Sequence, residues 1–509
     1  MKKVCIPLVL LLALLLAACN TSSVTTTTTS NSTDMTGTGC SSHTDVNDDG
    51  GCDNCAVSVM VTIDLYAIND LHGKLADGDR HIGVDELTTY LKNAQANGNT
   101  ILISAGDMWQ GTPESNLTQG MIITEWMNEL GFAAMALGNH EYDWGEGAIE
   151  ANDEIAQFPF LAINIYNRDT DSRVEYCDAS VVVDICGVQV GIIGAMGDCY
   201  SSIATDKTKD IYFVTGSALT DLVKAESQRL RQEEGVDFVV YSIHDGYGST
   251  TSSSQVAGNG LRSYYDTALS DGFVDLVFEG HTHQGYAFQD EYGVYHLQNR
   301  GDNSGGISHV LIDINSITGT WSVGTAELVS TGTYASLEDD PIVEQLLDKY
   351  EDSISPAKQV VGTNSRYRGS DEICDLVAKL YYELGRAEWG DDYTIVLGGG
   401  FLSCRSPYNL PAGQVLYGDL QAILPFDNDI VLCSVKGSDL LSKFINTSND
   451  RYHIFGSWGT IDPNGTYYIV VDTYTATYAP NRLTIVKEYT PGIYARDLLA
   501  DYIAAGGMK

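Results

Sequence analysis

Residues 57–73 read VSVMVTIDLYAINDLHG. Apolar side chains fall at 57, 59, 61, 63, 65 and 67, the period of two that marks a β-strand, and the run stops at Asn69 in a short polar loop. The same succession returns four times. Residues 100–104 precede Gly106-Asp107, residues 133–137 precede Gly138-Asn139-His140, residues 238–243 precede His244, and residues 274–278 precede Gly280-His281-Thr282-His283. Between them, 114–130 and 218–233 carry a helical pattern, so the plan is strand, loop, helix, repeated. In α/β folds of this kind, ligands gather where the strands end at their C-termini.

Those strand ends hold Asp70, His72, Asp107, Asn139, His140, His244, His281 and His283, and these loops take five of the 10 histidines in the chain. A pair of divalent ions needs a carboxylate that can bridge, imidazole nitrogens and neutral oxygen donors, and this set supplies all three. Two such ions about 3.5–4 Å apart activate water and stabilise in-line displacement at phosphorus. No serine or cysteine sits among these residues in a nucleophile motif, so direct attack by water is expected rather than a covalent enzyme intermediate.

Taken in order, D-x-H, G-D, G-N-H-E, a lone His and G-H-x-H resemble the calcineurin-like metallophosphoesterase signature. Asn69-Asp70-Leu71-His72-Gly73, Gly138-Asn139-His140-Glu141-Tyr142-Asp143 and Gly280-His281-Thr282-His283 resemble, more specifically, the bacterial 5'-nucleotidase and UDP-sugar hydrolase family over roughly residues 60–509. The resemblance implies an α/β fold: a metallophosphoesterase β-sandwich flanked by helices, followed by an α+β 5'-nucleotidase C-terminal domain. It implies Asp70, His72, Asp107 and His283 around one ion and Asp107, Asn139, His244 and His281 around the other, the metal being manganese, zinc, cobalt or similar. It also implies His140 as the catalytic imidazole, oriented by Asp143.

The C-terminal half resembles the family's substrate-binding domain through Gly398-Gly399-Gly400, Ala412-Gly413, Tyr417-Gly418-Asp419-Leu420 and Leu424-Pro425-Phe426-Asp427-Asn428. The likeness implies Phe426 as a face for a nucleobase, Asn428 as a polar reader of its edge, Arg368 and Arg405 as anion contacts, and Tyr474, on a strand, as a second stacking ring. This chain departs from the family in two places. The arginine that usually follows the glycines by two places is replaced, so Arg405 has to reach in from a shifted position. The G-G-D-G turn after the second aromatic is replaced by Tyr478-Ala479-Pro480-Asn481, which removes an acidic ligand for sugar or base. The Gly398–Gly400 run itself reads as a turn after a strand at 393–397, and 371–386 reads as a helix.

The 509 residues exceed what one hydrophobic core usually serves, so two folded domains are expected. The boundaries are set at 57–335 for the catalytic domain, 336–356 for a helical linker and hinge, and 357–509 for the substrate domain. With 28 basic against 68 acidic residues, the net charge of -40 argues against a nucleic-acid polymer as partner. An anionic substrate then needs local positive charge from ions and placed arginines.

Residues 1–18, with Lys2, Lys3, an apolar run and Leu16-Ala17-Ala18 before Cys19, resemble a bacterial lipoprotein signal, which implies lipidation at Cys19 and an exported, anchored protein facing the periplasm or exterior. The alternative is an uncleaved membrane helix, for which the run is short. Residues 19–39 are a Thr/Ser-rich tether. Residues 40–56 hold Cys40, His43, Asp45, Asn47, Asp49, Cys52, Asp53 and Cys55, which read as a calcium loop lacking its last ligand, a zinc knot or a disulfide-stapled linker. Cys177 with Cys186 and Cys404 with Cys433 are candidate disulfides. The expected partners are nucleotides, and a monomer is expected. The resemblance implies release of phosphate from nucleoside 5'-monophosphates, with nucleotide-sugars as a further substrate class. The alternatives are a 2',3'-cyclic-nucleotide phosphodiesterase or 3'-nucleotidase using the same site, and an anchored binding protein.

Overall fold

The computed structural model describes residues 59–77, 83–246, 273–290, 293–301, 306–402, 404–405, 409–477, 481 and 483–509. The lipoprotein signal with Cys19, the tether and the 40–56 cluster lie outside the described residues. No helix among the described residues is long and apolar enough to cross a membrane.

Two six-stranded sheets pack face to face. One runs Trp321–Val329, Ile307–Asn315, Met60–Ile68, Asn99–Ser104, Ala134–Ala136, Phe160–Leu161, and the other Tyr286–Gln289, Tyr295–Gln298, Leu276–Glu279, Phe238–His244, Val188–Met196, Ser180–Ile185. Side chains from both sheets, among them Ile63, Leu65, Ile103, Ile192, Phe278 and Ile312, fill the space between them. Helices cover the outer faces. Asp85–Asn97 and Met121–Leu130 pack on the first sheet through Leu87, Leu91, Ile123 and Trp126, and Gly216–Arg229 packs on the second through Leu219 and Val223. Met60–Ile68, Asn99–Ser104 and Ala134–Ala136 run parallel, as do Val188–Met196, Phe238–His244 and Leu276–Glu279. Their C-terminal ends therefore open on one edge of the sandwich, and this is where the chemistry-bearing loops emerge.

The helix read at 114–130 is two helices, Pro113–Leu117 and Met121–Leu130. The chain breaks at Gln119 and Gly120, which have φ of 49° and 88°, because it must pass over Trp109. A Cβ on Gly120 would come within 2.4 Å of that indole. Downstream, Asp340 caps the helix Pro341–Lys349 by accepting from the Ile342 amide at 3.0 Å. Val343 and Leu346 of this helix are buried in the core that also holds Leu87, Leu91, Ile123 and Trp126, so its apolar face is packed down.

The C-terminal part is a five-stranded sheet in the order Tyr452–Gly456, Ile395–Phe401, Thr466–Asp472, Ile430–Lys436, Thr484–Glu488. Helices Ser370–Trp389 and Ala495–Ala504 pack on one face. Gly398–Gly400 is not a turn; it lies inside the strand Ile395–Phe401. The glycines are needed for close approach: a Cβ on Gly398 would sit 2.2 Å from the Tyr382 amide nitrogen, so helix Ser370–Trp389 can lie flush on the strand.

Neither candidate disulfide forms. Cys177 is buried in the outer core and free. Cys186 sits at the hairpin turn after Ser180–Ile185 and is disulfide-bonded, with none of the other described cysteines as its partner. Cys404 packs with the helix-side core and Cys433 with the core on the sheet's other face. The neighbour of Cys404 is instead Cys374, with sulfurs 3.4 Å apart.

Candidate active site

Seven side chains predicted as metal ligands converge at the open edge of the sandwich. Asp70, His72, Asp107 and His244 are buried to 1% exposure or less. His72 and His283 bring their Nε2 atoms to 3.1 Å of each other, and His283 Nε2 lies 3.2 Å from Asp70 Oδ1. His244 Nε2 is 3.0 Å from Asp107 Oδ2, and His281 Nδ1 is 2.9 Å from Asn139 Oδ1. Asp70, His72 and His283 form one group with ligand-ready atoms, and Asp70, Asp107 and His244 a second.

This geometry fits divalent ions. Two imidazole nitrogens facing each other at 3.1 Å cannot both carry protons. His244 Nε2, though close to Asp107, makes no aligned hydrogen bond, as expected of two donors aimed at a common centre. The remote ring nitrogens are anchored: His72 Nδ1 donates to the Gln110 carbonyl at 2.9 Å and His244 Nδ1 to that of Ala105 at 2.6 Å. That leaves the His72 Nε2 lone pair for ligation; at His244 burial opposes the charge, but Asp107 and Asp70 raise the pKa to about 10, so an ion held there would displace the Nε2 proton. Burial, with Arg405 and His283, pushes the His72 pKa well below its ordinary value, so it is neutral. Burial opposes ionisation of Asp107, but His244 and His140 outweigh it and hold the carboxyl well below its usual range.

The backbone here is strained. Among the described residues eight non-glycine residues have positive φ, and five of them are Asp70, His72, Asp107, His281 and His283. Such conformations cost free energy and persist where the surroundings enforce them. Glu141 does much of the enforcing. Fully buried, its carboxylate accepts from the amides of Gly138 at 2.7 Å, Met108 at 2.8 Å, Asp107 at 2.9 Å and Trp109 at 3.3 Å, tying the loop of Asp107 to that of Asn139. Burial beside Asp107 pushes its pKa up to about 7, and the amides of Asp107 and Gly138 work against that rise. Cys199 also lies within ligand distance of His244 and His281. Its thiol donates to the His244 carbonyl at 2.9 Å, and burial raises its pKa well above 9, so it supports the loop as a neutral group.

His140 stands beside this cluster. Its amide donates to Asp107 Oδ1 at 2.8 Å and its Nδ1 to Asp143 Oδ2 at 2.8 Å. Burial disfavours the imidazolium, but Asp143 and Asp107 more than offset it and raise the pKa. The Arg405 guanidinium lies 3.2 Å from His140 Nε2. Arginine can only donate, so this contact is made to neutral His140 with its proton on Nδ1. Protonation at Nε2 turns the pair into two cations facing one site, a cradle for an anion.

A cavity of about 290 Å³ extends from Asn139, His140, Asp143 and His281 into the C-terminal part, lined there by Arg405, Phe426, Asn428 and Tyr474, with Lys207 and Arg451 adding positive charge. The Phe426 ring stacks on His140 at 6.1 Å and 21°. Arg496, 4% exposed, fixes the turn bearing Phe426. It donates to the carbonyls of Leu424 and Pro425 at 3.4 Å and Phe426 at 3.3 Å, and pairs with Asp427. Two expectations need correction. Arg368 does not line the cavity: its Nε donates to Asn364 Oδ1 at 2.9 Å and its other end pairs with Glu372. Tyr474 is not on a strand, because Thr466–Asp472 ends before it and Asp472 Oδ1 accepts from the Thr475 amide at 2.7 Å, starting the helix Thr473–Thr477.

Comparison with known proteins decides the family. The model for the calcineurin-like phosphoesterases matches residues 63–285, and that for the 5'-nucleotidase C-terminal domain matches 353–453. The chain belongs to the calcineurin-like phosphoesterases with a 5'-nucleotidase C-terminal domain. It is accordingly a metal-dependent phosphoester hydrolase. Protein UshA of Yersinia enterocolitica is 24% identical over 438 residues, covering 76% of each chain. A 5'-nucleotidase of Vibrio vulnificus is 22% identical over 444 residues, 76% of this chain and 75% of its own. The solved 5'-nucleotidase precursor of Thermus thermophilus shares the fold at a TM-score of 0.62 and 19% identity, covering 88% of this chain and 96% of its own.

Within this phosphoesterase, Glu141 was visible in the G-N-H-E motif, but nothing local signalled that it would accept four amides. Arg496 had no sequence signal, since its partners lie about 70 residues away.

Proposed function

We propose that this phosphoesterase hydrolyses nucleoside 5'-monophosphates outside the cytoplasm, and that nucleotide-sugars are a further substrate class. The observation that carries the reading is the cavity that starts at the histidine–carboxylate cluster and continues, past the His140–Arg405 contact of 3.2 Å, between the side chains of Phe426, Asn428 and Tyr474. A phosphate ester of a flat, aromatic group fits both ends.

In this reading Asp70, His72, Asp107 and His283 hold one divalent ion, and Asp107, Asn139, His244 and His281 the second. Bound there, the ions supply water activation and charge stabilisation at phosphorus. Protonated His140 and Arg405 donate to the phosphoryl oxygens, where charge accumulates in the transition state. Asp143 keeps the imidazole turned and favours its charged form. Phe426 stacks on the base, and a face that accepts any base gives broad nucleobase tolerance. Export and anchoring through Cys19 rest on Leu16-Ala17-Ala18-Cys19.

The test follows product formation with the protein chelated and then reloaded with manganese, zinc or cobalt: phosphate from AMP and 3'-AMP, UMP with glucose 1-phosphate from UDP-glucose, and the ring-opened monophosphate from 2',3'-cyclic AMP. Metal-dependent turnover fastest on AMP is expected. Faster turnover of the cyclic or 3'-phosphate would replace the 5'-nucleotidase reading with a 2',3'-cyclic or 3'-nucleotidase. In Phe426→Ala, KM for AMP should rise about 10-fold more than for p-nitrophenyl phosphate, since base stacking contributes about 1–3 kcal/mol.

A further inference from the structure

The cavity lining carries two polar groups that the reading above leaves unused. Tyr381, on helix Ser370–Trp389, lines the cavity at 0% exposure, and its hydroxyl has no hydrogen-bond partner among the described residues. Asp472, at the end of strand Thr466–Asp472, lines the same cavity at 6% exposure, and its carboxylate accepts from the Thr475 amide at 2.7 Å. A buried hydroxyl without a partner is costly, and a carboxylate held by short local bonds still has lone pairs to offer a ligand. Two such groups lining one substrate cavity indicate what the ligand brings.

The architecture holds them there. Because Gly398 and Gly399 lack side chains, helix Ser370–Trp389 lies against strand Ile395–Phe401; a Cβ on Gly399 would meet that of Ala378 at 2.7 Å. This close packing brings Tyr381 to the floor beside the neighbouring strand, whose last residue is Asp472. The two groups feel each other. Burial first, and then the Asp472 charge, raises the Tyr381 pKa well above 10. Burial likewise pushes the Asp472 carboxyl up to about 6 against its hydrogen bonds from Thr475.

We infer that Asp472 and Tyr381 form a hydrogen-bonding floor that takes the vicinal ribose hydroxyls of a nucleoside 5'-monophosphate, in place of the acidic turn this chain lacks. The inference rests on the nucleotidase reading and narrows it. A carboxylate accepts from two adjacent hydroxyl donors, while a phenol donates back to a hydroxyl oxygen. An acidic side chain on a ribose hydroxyl is a recurrent solution to nucleotide binding. Base carbonyls would be repelled by the same carboxylate. Selection by the sugar with tolerance of the base is therefore what this floor produces.

The experiment compares kcat/KM for AMP, 2'-deoxy-AMP, 2',3'-dideoxy-AMP and GMP in the full chain and in Asp472→Asn and Tyr381→Phe, each checked for fold by circular dichroism. A site built to bond a hydroxyl discriminates strongly against the analogue lacking it. The wild type should favour AMP over the dideoxy analogue about 10-fold or more, and that ratio should fall to about threefold or less in each variant. If Asp472→Asn fails to fold, Tyr381→Phe, which loses only the hydroxyl, carries the test alone. A wild-type ratio near one with good turnover of both nucleotides overturns the inference and leaves the nucleotidase reading standing, as does an unchanged ratio in the folded variants. A strong preference for GMP that ignores the sugar hydroxyls also overturns it, assigning the floor to a guanine edge. Hydrolysis of p-nitrophenyl phosphate with no turnover of any nucleotide overturns both readings.

Discussion

Glu141→Gln replaces one oxygen by an NH2 group at the point where four amides converge. Oε1 accepts from Met108 and Trp109, and Oε2 from Asp107 and Gly138. Whichever way the new amide is turned, two backbone N–H groups face a donor instead of an acceptor. Each buried donor left unsatisfied costs about 1–3 kcal/mol, so the substitution should weaken this region by about 2–6 kcal/mol. At about 1.4 kcal/mol per factor of ten, that corresponds to roughly 30-fold or more in the opening equilibrium of the Asp107 loop. Hydrogen–deuterium exchange of peptides spanning 105–111 measures this directly, with a peptide from strand Ile430–Lys436 as internal control. Metal affinity should fall about 10- to 100-fold in parallel, because this carboxylate's four bonds, together with the His140 amide on Asp107 Oδ1, join the loops of Asp107 and Asn139. Exchange within threefold of wild type in 105–111, with metal affinity retained, would refute the account of Glu141 as the clamp.

Asp107→Ala removes the carboxylate shared by both proposed ion sites; bound metal should drop from about two ions per chain to one or none by elemental analysis, and turnover to below about 1%. Arg405→Ala should lower kcat/KM about 10- to 100-fold, the worth of a charge-assisted hydrogen bond, whereas Arg368→Ala, tied to Asn364 and Glu372 away from the cavity, should stay within twofold; steady-state kinetics on AMP separates them. Burial opposes the charge on His296, but Asp290 and Glu279 overcome it and raise its pKa from 6.5 to about 9. Since the folded value is the higher, its stabilisation is fully present below pH 6.5 and disappears as pH rises through about 9. At about 1.4 kcal/mol per pH unit it amounts to roughly 3 kcal/mol. The difference in melting temperature between wild type and His296→Gln should therefore shrink between pH 6 and 9.5.

The ligand loops were legible because each lies directly behind a strand, and strand periodicity survives without tertiary information. Parallel pairing then brings Ile68, Ser104 and Ala136 to a common edge, so donors spread over more than 200 residues of sequence meet. Residues whose role depends on packing between segments were not legible. Arg368 carries the right charge in the right neighbourhood, yet Glu372 one helical turn along captures it. Gly398–Gly400 looks like a turn in composition, but the demand it meets is close helix–strand contact. Tyr381 reads as an ordinary apolar-face residue of a helix, and only the fold shows its hydroxyl without a partner.

His140 follows strand Ala134–Ala136 of the two-sheet part and Arg405 follows strand Ile395–Phe401 of the C-terminal sheet, and the cavity is lined from both. On the proposed reading an intact nucleotide works as a strap, its phosphate gripping one side and its base and sugar the other, each grip raising the effective concentration of the second. Cleavage cuts the strap. Phosphate retains only the catalytic end and nucleoside only the far end, so both products lose the advantage of joint attachment as soon as they form. An enzyme divided in this way holds its substrate more tightly than either product without any dedicated release device, and its turnover is protected against the accumulation of nucleoside in its surroundings.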